Sequence, residues 1–504
     1  VIRSLLSTLL PTGTSMLVLA MSGCVSSPQT ARRPDATPDA PSRWTAPAAA
    51  TSNAPENKSV SDDWLLGLGD PRLPDLVEQA LARNHDLRAL AASLESTRAA
   101  SVIAGADRLP QIGVGLDAAR FQNAVKTAPG EAVGVIAQSR QLGANVRWEI
   151  DLWGKLRDRG QAALADLEAA EADFAGARLS LAAGVAKAWF RTSTSRLQLQ
   201  LAEETVRNFE ATADLVRSRF EAGIGTSLEL RLALANAASA AALLEQRRQE
   251  LDSAVRILET LLGRYPANTL ATIDALPELQ VAVPAGIPSE VLQRRPDLVA
   301  AERRLAAADA RTREARKARL PSLSLTGSGG TASNDLDDLL DADFEVWSIA
   351  AGLAQPLFQG GRLRAAADRN AALAERAHAD YLSAVLEAFR EVESALAAED
   401  LLRRREENLR EFAEQSAGAE RLAQDEYEAG LSDIVTVLES QRRALDARSS
   451  YLLIREQRLR NRVDLHLALG GDFGAGTAAN AAPPAVDLAS HDAPALSAAL
   501  VRRP

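Results

Sequence analysis

A metal site or an enzyme nucleophile needs side chains of the right type close together, and this chain has few to offer. Its one cysteine is Cys24, and its four histidines, His85, His378, His466 and His491, stand far apart without metal-ligand spacing. Gly327-Ser328-Gly329-Gly330 lacks the Lys-Ser/Thr of a phosphate-binding loop and reads as the end of a strand. No Gly-x-Ser-x-Gly elbow is present. Charged residues are plentiful at 25% of the chain, but they lie in helical runs, where pairing at i,i+4 is their ordinary use. The inventory argues against an enzyme, a metal centre and a cofactor. Two features stand out instead: a carboxylate-bearing stretch from Asp433 to Gln441 just after a glycine turn, and a small set of aromatics. Both depend on the elements that position them.

Those elements come in two copies. Shifting the sequence by 207 positions lays Lys155–Gly263 on Arg362–Gly470 without a gap, so that Phe220-Glu221-Ala222-Gly223-Ile224 falls on Tyr427-Glu428-Ala429-Gly430-Leu431. An internal repeat constrains the fold before any local argument. In each copy some 67 residues, Lys155 to Glu221 or Arg362 to Glu428, run without proline and are rich in Ala, Leu, Glu and Arg. At ~1.5 Å per residue such a helix reaches on the order of 100 Å, so it must pack lengthwise against others. Val385, Phe389, Val392 and Leu396 step by four, three and four, as do Leu251, Val255, Leu258 and Leu262, while Leu431, Leu438, Leu445, Leu452 and Leu459 form a heptad row. Gly223 and Gly430 end the long helices, and the chain returns along a second helix. Each repeat is thus a long antiparallel helical hairpin. A second offset, 211, lays Asp86–Pro110 on Asp297–Pro321, so the repeat unit begins near residues 83 and 294.

The net charge of −10 argues against nucleic acid as a partner. The leucine row does not make a basic zipper, because the segment before it, Glu414 to Glu428, is acidic on balance. Residues 1–23 read as a secretory leader: Arg3 precedes an apolar run that ends Met21-Ser22-Gly23-Cys24 and is too short to span a bilayer. Small residues before the only cysteine resemble the bacterial lipobox, which marks Cys24 for lipidation. Val25 and Ser26 lack the aspartate that retains enteric lipoproteins in the inner membrane. Residues 24–62 and 474–504, rich in Ala, Pro, Ser and Thr, read as a flexible tether and a disordered tail. Between them lie a first repeat over 63–263, a linker over 264–293 and a second repeat over 294–473.

Between each Leu-Pro and its long helix the period changes from helix to strand. Ile112, Val114 and Leu116 alternate with Gly113, Gly115 and Asp117, and Leu142, Ala144, Val146, Trp148 and Ile150 do the same. Leu323 and Leu325, then Trp347, Ile349, Ala351 and Leu353, repeat the pattern in the second half. Four strands of roughly ten residues follow, near 110–121, 141–153, 321–329 and 344–357, which is the length of a tilted outer-membrane strand. No other part of the mature chain reads as a span. Phe121, Trp148, Trp153, Phe344, Trp347 and Phe358 gather at the strand ends, as an interfacial girdle would require. The polar stretches Gln122–Arg140 and Gly330–Asp343 read as outward hairpin loops. Four strands cannot close a barrel, and open edges are not tolerated in lipid. The chain must therefore oligomerise, to eight strands with two copies or twelve with three.

The chain resembles the TolC-like outer-membrane efflux family, and within it the lipidated NodT-type factors, from Trp64 to Phe473. The resemblance rests on Leu68-Gly69-Asp70-Pro71, Val146–Gly154 with its Arg147-Trp148-Glu149-Ile150-Asp151-Leu152-Trp153 core, Arg295-Pro296-Asp297-Leu298, Leu320-Pro321, Leu325-Thr326-Gly327-Ser328, Tyr427-Glu428-Ala429-Gly430 and Ala468-Leu469-Gly470-Gly471, in this order and at this spacing. It implies a fold mixing all-α coiled coil with a membrane β-barrel: a homotrimer whose twelve strands close a barrel above an α-helical periplasmic tunnel. It also implies a passive exit duct for small molecules, partnered by a periplasmic adapter and an inner-membrane pump of the RND type.

Within that resemblance, Glu439 matches an acidic position that closes the periplasmic end, Thr436 stands where some relatives carry a second acid, and Asp433 lies nearer the tip. Three carboxylates on one axis would repel each other and attract cations. The tips that meet the adapter correspond to the two glycine turns, with Arg219, Gly223, Ile224, Leu228, Gly430 and Leu431 as contact residues. Two readings of other classes compete. A lipid-anchored periplasmic coiled-coil scaffold would use the same helices but has no need of four strands with aromatic ends. A self-energised transporter would need a nucleotide site or charged spanning helices.

Overall fold

The computed structural model describes residues 44–45, 64–128, 131–270, 275–279 and 288–471. Cys24, the leader, nearly all of the tether and the C-terminal tail lie outside the described residues. Helices α1 (Leu73–Arg83) and α2 (His85–Ala106) lead into strands β1 (Gln111–Ala128) and β2 (Glu131–Ile150), then α3 (Lys155–Glu221) and α4 (Ser227–Leu261). The second half repeats the order with α5 (Pro288–Arg294), α6 (Pro296–Lys317), β3 (Ser322–Ser333), β4 (Glu345–Ala354), α7 (Arg362–Glu428) and α8 (Ile434–Ala468).

Helices α3 and α7 have 67 residues each and α4 and α8 have 35 each. They end where the chain needs a backbone that L side chains resist: Gly223 and Gly430 take φ of +75° and +77°. Helix α4 is long and apolar enough to cross a membrane by length and composition, which departs from the expectation that only the strands could. Its alanines serve another purpose, since α4 lies antiparallel on α3 just as α8 lies on α7.

The four strands form one antiparallel sheet in the order β1-β2-β3-β4. The expectation of ten-residue strands with a loop at Gln122–Arg140 fails for the first hairpin. β1 and β2 run 18 and 20 residues and stay paired from Gln111↔Arg147 to Ala128↔Glu131. The ladder is kept by cross-strand contacts such as Phe121↔Ala137, Asn123↔Val135 and Val125↔Val133. A two-stranded ribbon with no covering layer can be polar, so its composition mimics a loop. In the second hairpin β3 runs to Ser333, and short 3₁₀ turns at Asp337–Leu340 and Ala342–Phe344 fill the rest of the expected loop. Gly327-Ser328-Gly329-Gly330 lies inside β3 rather than at its end. A Cβ on Gly330 would come within 2.1 Å of the Leu142 carbonyl oxygen, so glycine sets how closely β3 meets β2.

The main core forms where the N-terminal segment crosses the middle of α3, around Trp64, Leu68, Leu73, Trp189, Phe190, Leu258 and Leu459. Asp70 is buried there and accepts a 2.6 Å hydrogen bond from Trp189 Nε1, which ties two residues 119 positions apart. A buried charge needs such partners. The second repeat has a counterpart cluster in which Trp44 packs edge-on to Phe389, with ring centroids 6.1 Å apart. His466 lies beside Trp64, and burial first, then the nearby Arg462, lower its pKa to about 4. It is therefore a neutral core residue at pH 7.

Between the apolar clusters at Trp189–Leu459 and Val216–Val437, the contact of α3 with α8 is polar. Arg191, Gln198 and Thr212 face Glu456, Ser449 and Gln441, with Gln198 and Ser449 exchanging two 3.0 Å hydrogen bonds and Gln441 Nε2 donating to Thr212 Oγ1 at 2.9 Å. Nearby hydroxyls on α3 bond back to their own helix: Thr192 to Ala188, Ser193 to Trp189, Thr205 to Leu201 and Thr212 to Asn208.

Candidate gate and helical tips

The first tip is closed by a capping box. The Thr226 hydroxyl accepts from the Glu229 amide at 3.3 Å while the Glu229 carboxylate accepts from the Thr226 amide at 2.8 Å. Ile224, at the apex, is 73% exposed, and Leu228 beside it is exposed too. At the second tip Leu431 is 80% exposed and Asp433 caps α8. Asp433 Oδ1 accepts from the Thr436 amide at 2.8 Å and from its hydroxyl at 2.9 Å. Those bonds, the amide first, hold the Asp433 carboxyl below its ordinary range. Thr436 is thus the partner of the cap.

Glu439 lies one turn further on, facing a groove of about 370 Å³ lined by Ser416, Ala419, Asp433, Thr436, Glu439 and Arg443. The structure brings the three expected gate residues to this one groove. It also changes the expected charge. Arg442 donates to Glu439 at 2.8 Å and Arg443 approaches it at 3.5 Å, so the carboxylate is not bare. The hydrogen bond from Arg442 is the main reason its pKa is lowered. The i+3 and i+4 spacing of the two arginines was a signal for this pairing.

Arg219 is turned inward, onto the other tip. Its guanidinium donates to the Tyr427 carbonyl at 2.9 Å and lies 4.5 Å from the centre of the Tyr427 ring. Around Tyr427 a cluster of Phe209, Val216, Ile434, Val437 and Leu438 fastens the two hairpins together. Neither Tyr427 nor the two arginines figured among the expected site residues.

At the sheet, Trp148 Nε1 donates to the Arg108 carbonyl and Trp153 Nε1 to the Pro321 carbonyl, at 3.0 and 2.7 Å, both near the helical end. Phe358 follows β4 at that end. Phe344 and Trp347 stand at the start of β4 and are accessible. Phe121 is mid-strand, opposite Ala137, rather than at a strand end. On β1 and β4 the face carrying Ile112, Val114, Leu116, Trp347, Ile349 and Leu353 is exposed. Among the described residues no three His, Cys, Asp or Glu side chains gather as metal ligands.

A sheet with an uncovered apolar face, running on into helices on the order of 100 Å long, belongs to a class of protein that joins a bilayer to the space beneath it. Comparison with known proteins identifies which. The family model described as outer membrane efflux protein matches residues 76–264 and 287–471, and the chain belongs to that family. It is 35% identical to outer membrane protein OprJ of Pseudomonas aeruginosa over 92% of this chain and 96% of that protein. It is 34% identical to the pyoverdine export outer membrane protein OpmQ of Pseudomonas putida, over 86% and 92%. Among solved structures it matches the outer-membrane channel OprN with a TM-score of 0.80 at 29% identity, covering 87% of this chain and 98% of that one. The outer membrane channel CmeC of Campylobacter jejuni gives 0.82 at 25% identity, covering 86% and 93%. The protein is an outer-membrane efflux channel whose helices extend into the periplasm, the exit duct of a tripartite system.

Proposed function

We propose that three copies close the duct, that its periplasmic mouth is gated at Glu439, and that a periplasmic adapter docks on the tips at Gly223–Leu228 and Gly430–Leu431, with an inner-membrane pump of the RND type supplying the cargo. Lipidation at Cys24 would add an anchor in the outer membrane. The observation that carries the reading is the sheet: its apolar face is uncovered and its two edges, β1 and β4, are unpaired, which lipid does not permit. Of the expected girdle, Trp148 and Trp347 share the apolar face with Ile112, Val114 and Leu116, whereas Phe121, an odd step along β1, points to the opposite face. Exposed Ile224 and Leu431 at the tips supply apolar contacts for an adapter. Relatives carry names tied to pyoverdine, toluene and antibiotics, and such variety on one scaffold favours selection of the cargo by the pump.

The test is single-channel conductance in planar bilayers. Wild type is expected to give small, cation-selective steps, and Glu439→Ala steps that are larger and less cation-selective, since Arg442 and Arg443 lose their carboxylate. Steps indifferent to the substitution would place the gate elsewhere, with Asp433 next to be replaced. A verified membrane-inserted oligomer that conducts nothing would favour the lipid-anchored scaffold.

A further inference from the structure

The first β-hairpin outlasts the second. The offsets that relate the repeats carry the rung Gln111↔Arg147 onto Ser322↔Ala354, and they carry the last rung of the second hairpin, Thr331↔Glu345, back onto Arg120↔Gln138. Beyond Arg120 the first hairpin keeps pairing, from Phe121↔Ala137 to Ala128↔Glu131, while β3 stops beside β2 at Arg140↔Ser333. The upper part is thus a ribbon of two strands, and the second repeat has short 3₁₀ turns in its place.

Along this ribbon the two faces exchange their chemistry. In the sheet below it, the apolar side chains stand at even positions, Ile112, Val114 and Leu116 on β1 and Leu142, Val146 and Trp148 on β2. The other face carries Asp117, Asn145, Arg147 and Glu149, with Ser324 and Thr326 beside them on β3. In an outer-membrane barrel the first face meets lipid and the second lines the lumen. The register is unbroken from Gln111 to Lys126, so the odd positions of β1 stay on the lumen side all the way up. Above Arg120 that side becomes apolar, with Phe121, Val125, Val133 and Val135, each 47–51% exposed in the single chain. The lipid side becomes polar, with Arg120, Gln122, Gln138 and Arg140. Ile136 is the exception on the polar side and Asn123 on the apolar one. From Ile150 to Arg140 the strand covers ten residues, about 34 Å at ~3.4 Å per residue and about 24 Å at a tilt of ~45°, the height of an outer-membrane apolar band. The exchange therefore falls where lipid ends. At that level Arg140, on the polar face, donates to the Asn334 carbonyl and stands 3.9 Å from Asp335, which ties the base of the ribbon to the rim.

We infer that the three ribbons lean over the outer mouth of the duct and bring Phe121, Val125, Val133 and Val135 together as an apolar collar. Hydrated ions cross such a collar poorly, whereas apolar and amphipathic small molecules cross it readily. Each apolar face is covered by the same face of the other copies, because it continues the lumen wall and that wall encloses one axis. Two strands alone are marginal in water, so cover on one face stabilises the ribbon, and burial of its side chains favours the closed arrangement. A hydrophobic constriction gates by losing its water. The inference rests on the ring proposed above and adds a second barrier at its far end, unlike the carboxylate and guanidinium groups around Glu439.

Single-cysteine trapping in the full-length protein, extracted from outer membranes, tests this, because a residue near a symmetry axis meets its own copies. Val133→Cys is expected to give covalent dimers on non-reducing gels after oxidation or a short bismaleimide. Gln122→Cys, on the opposite face, and the wild type with Cys24 alone are expected to stay monomeric there. Conductance in planar bilayers gives a second readout. In a Glu439→Ala background, Phe121→Ser/Val133→Ser is expected to enlarge the single-channel step severalfold, and Gln122→Ser to leave it unchanged. The trapping does not involve Glu439, so failure of the inner gate leaves that result standing. A trimer by mass in solution that neither links at Val133→Cys nor changes its step with the serine pair would overturn the collar and leave the ring intact. Equal linking at both faces would overturn the assignment of the apolar face to the axis. Unlinked Val133→Cys that is shielded from a membrane-impermeant maleimide would mean that the face lies in lipid, and would overturn the collar too. An extract that is monomeric in solution would overturn the ring and the collar together.

Discussion

Phe220 and Tyr427 occupy equivalent places, each three residues before a turn glycine, yet Phe220 is 40% exposed and Tyr427 only 6%, covered by Arg219 from the opposite tip. The contrast continues up the returning helix. Where α8 has Glu439, Arg442 and Arg443, α4 has Leu232, Ala235 and Asn236, with Leu232 packed on the cluster that joins the hairpins. Turn geometry is shared because the backbone imposes it: both glycines are left-handed and both caps satisfy a first-turn amide. The division of labour comes from side chains alone. The first hairpin supplies packing and a clamp, and the second supplies the clamped ring and the charges.

The sharpest way to break that comparison is to truncate the two aromatics. Tyr427→Ala is expected to destabilise the detergent-solubilised protein by about 3 kcal/mol, as loss of a buried aromatic does, and Phe220→Ala by less than about 1 kcal/mol. Denaturant unfolding followed by circular dichroism would show it, and equal losses would mean that the tips are interchangeable. A smaller effect is expected at the caps. Thr226→Ala should cost about 1 kcal/mol of local stability, read as faster hydrogen exchange in the first turn of α4, and Thr226→Asp should restore it.

The smallest effect separates the caps by pH. The Asp433 carboxyl titrates below its ordinary 3.8 in the folded chain because the Thr436 amide and hydroxyl bond to its charged form. Its contribution is therefore fully present above pH 3.8 and is lost as pH falls through the lower folded value. Protection factors of the Thr436 amide, corrected for intrinsic exchange, should drop in acid, while Asp433→Asn removes that dependence. The Thr226 hydroxyl does not titrate, so a matching drop at the Glu229 amide would contradict the distinction.

Much of this architecture was legible because it is periodic. A proline-free run and a glycine define α3 and α7, and the two repeat offsets carry over into the strand register. The first β-hairpin was not legible beyond Phe121, since a ribbon with no covering layer leaves polar residues such as Gln122, Asn123 and Gln138 inside a regular ladder. The Asp70–Trp189 bond and the Arg219–Tyr427 clamp join residues 119 and 208 positions apart, which no local pattern encodes. At Glu439 the residue type and the turn before it were readable, but its charge balance is a matter of rotamers on Arg442 and Arg443.

The polar contact between α3 and α8 has a mechanical consequence. Interdigitated leucines resist sliding, because each knob must leave its hole before the next is reached. Along this contact the hydroxyls of Thr192, Ser193 and Thr205 donate to carbonyls of their own helix. The contacts that cross the gap are polar: the ion pairs Lys187–Asp464, Arg191–Glu456 and Arg448–Glu204 and the hydrogen bonds at Gln198–Ser449 and Thr212–Gln441. The surface behaves as a plain bearing: load is carried by the clusters at either end, and between them the two hairpins can shear at low friction.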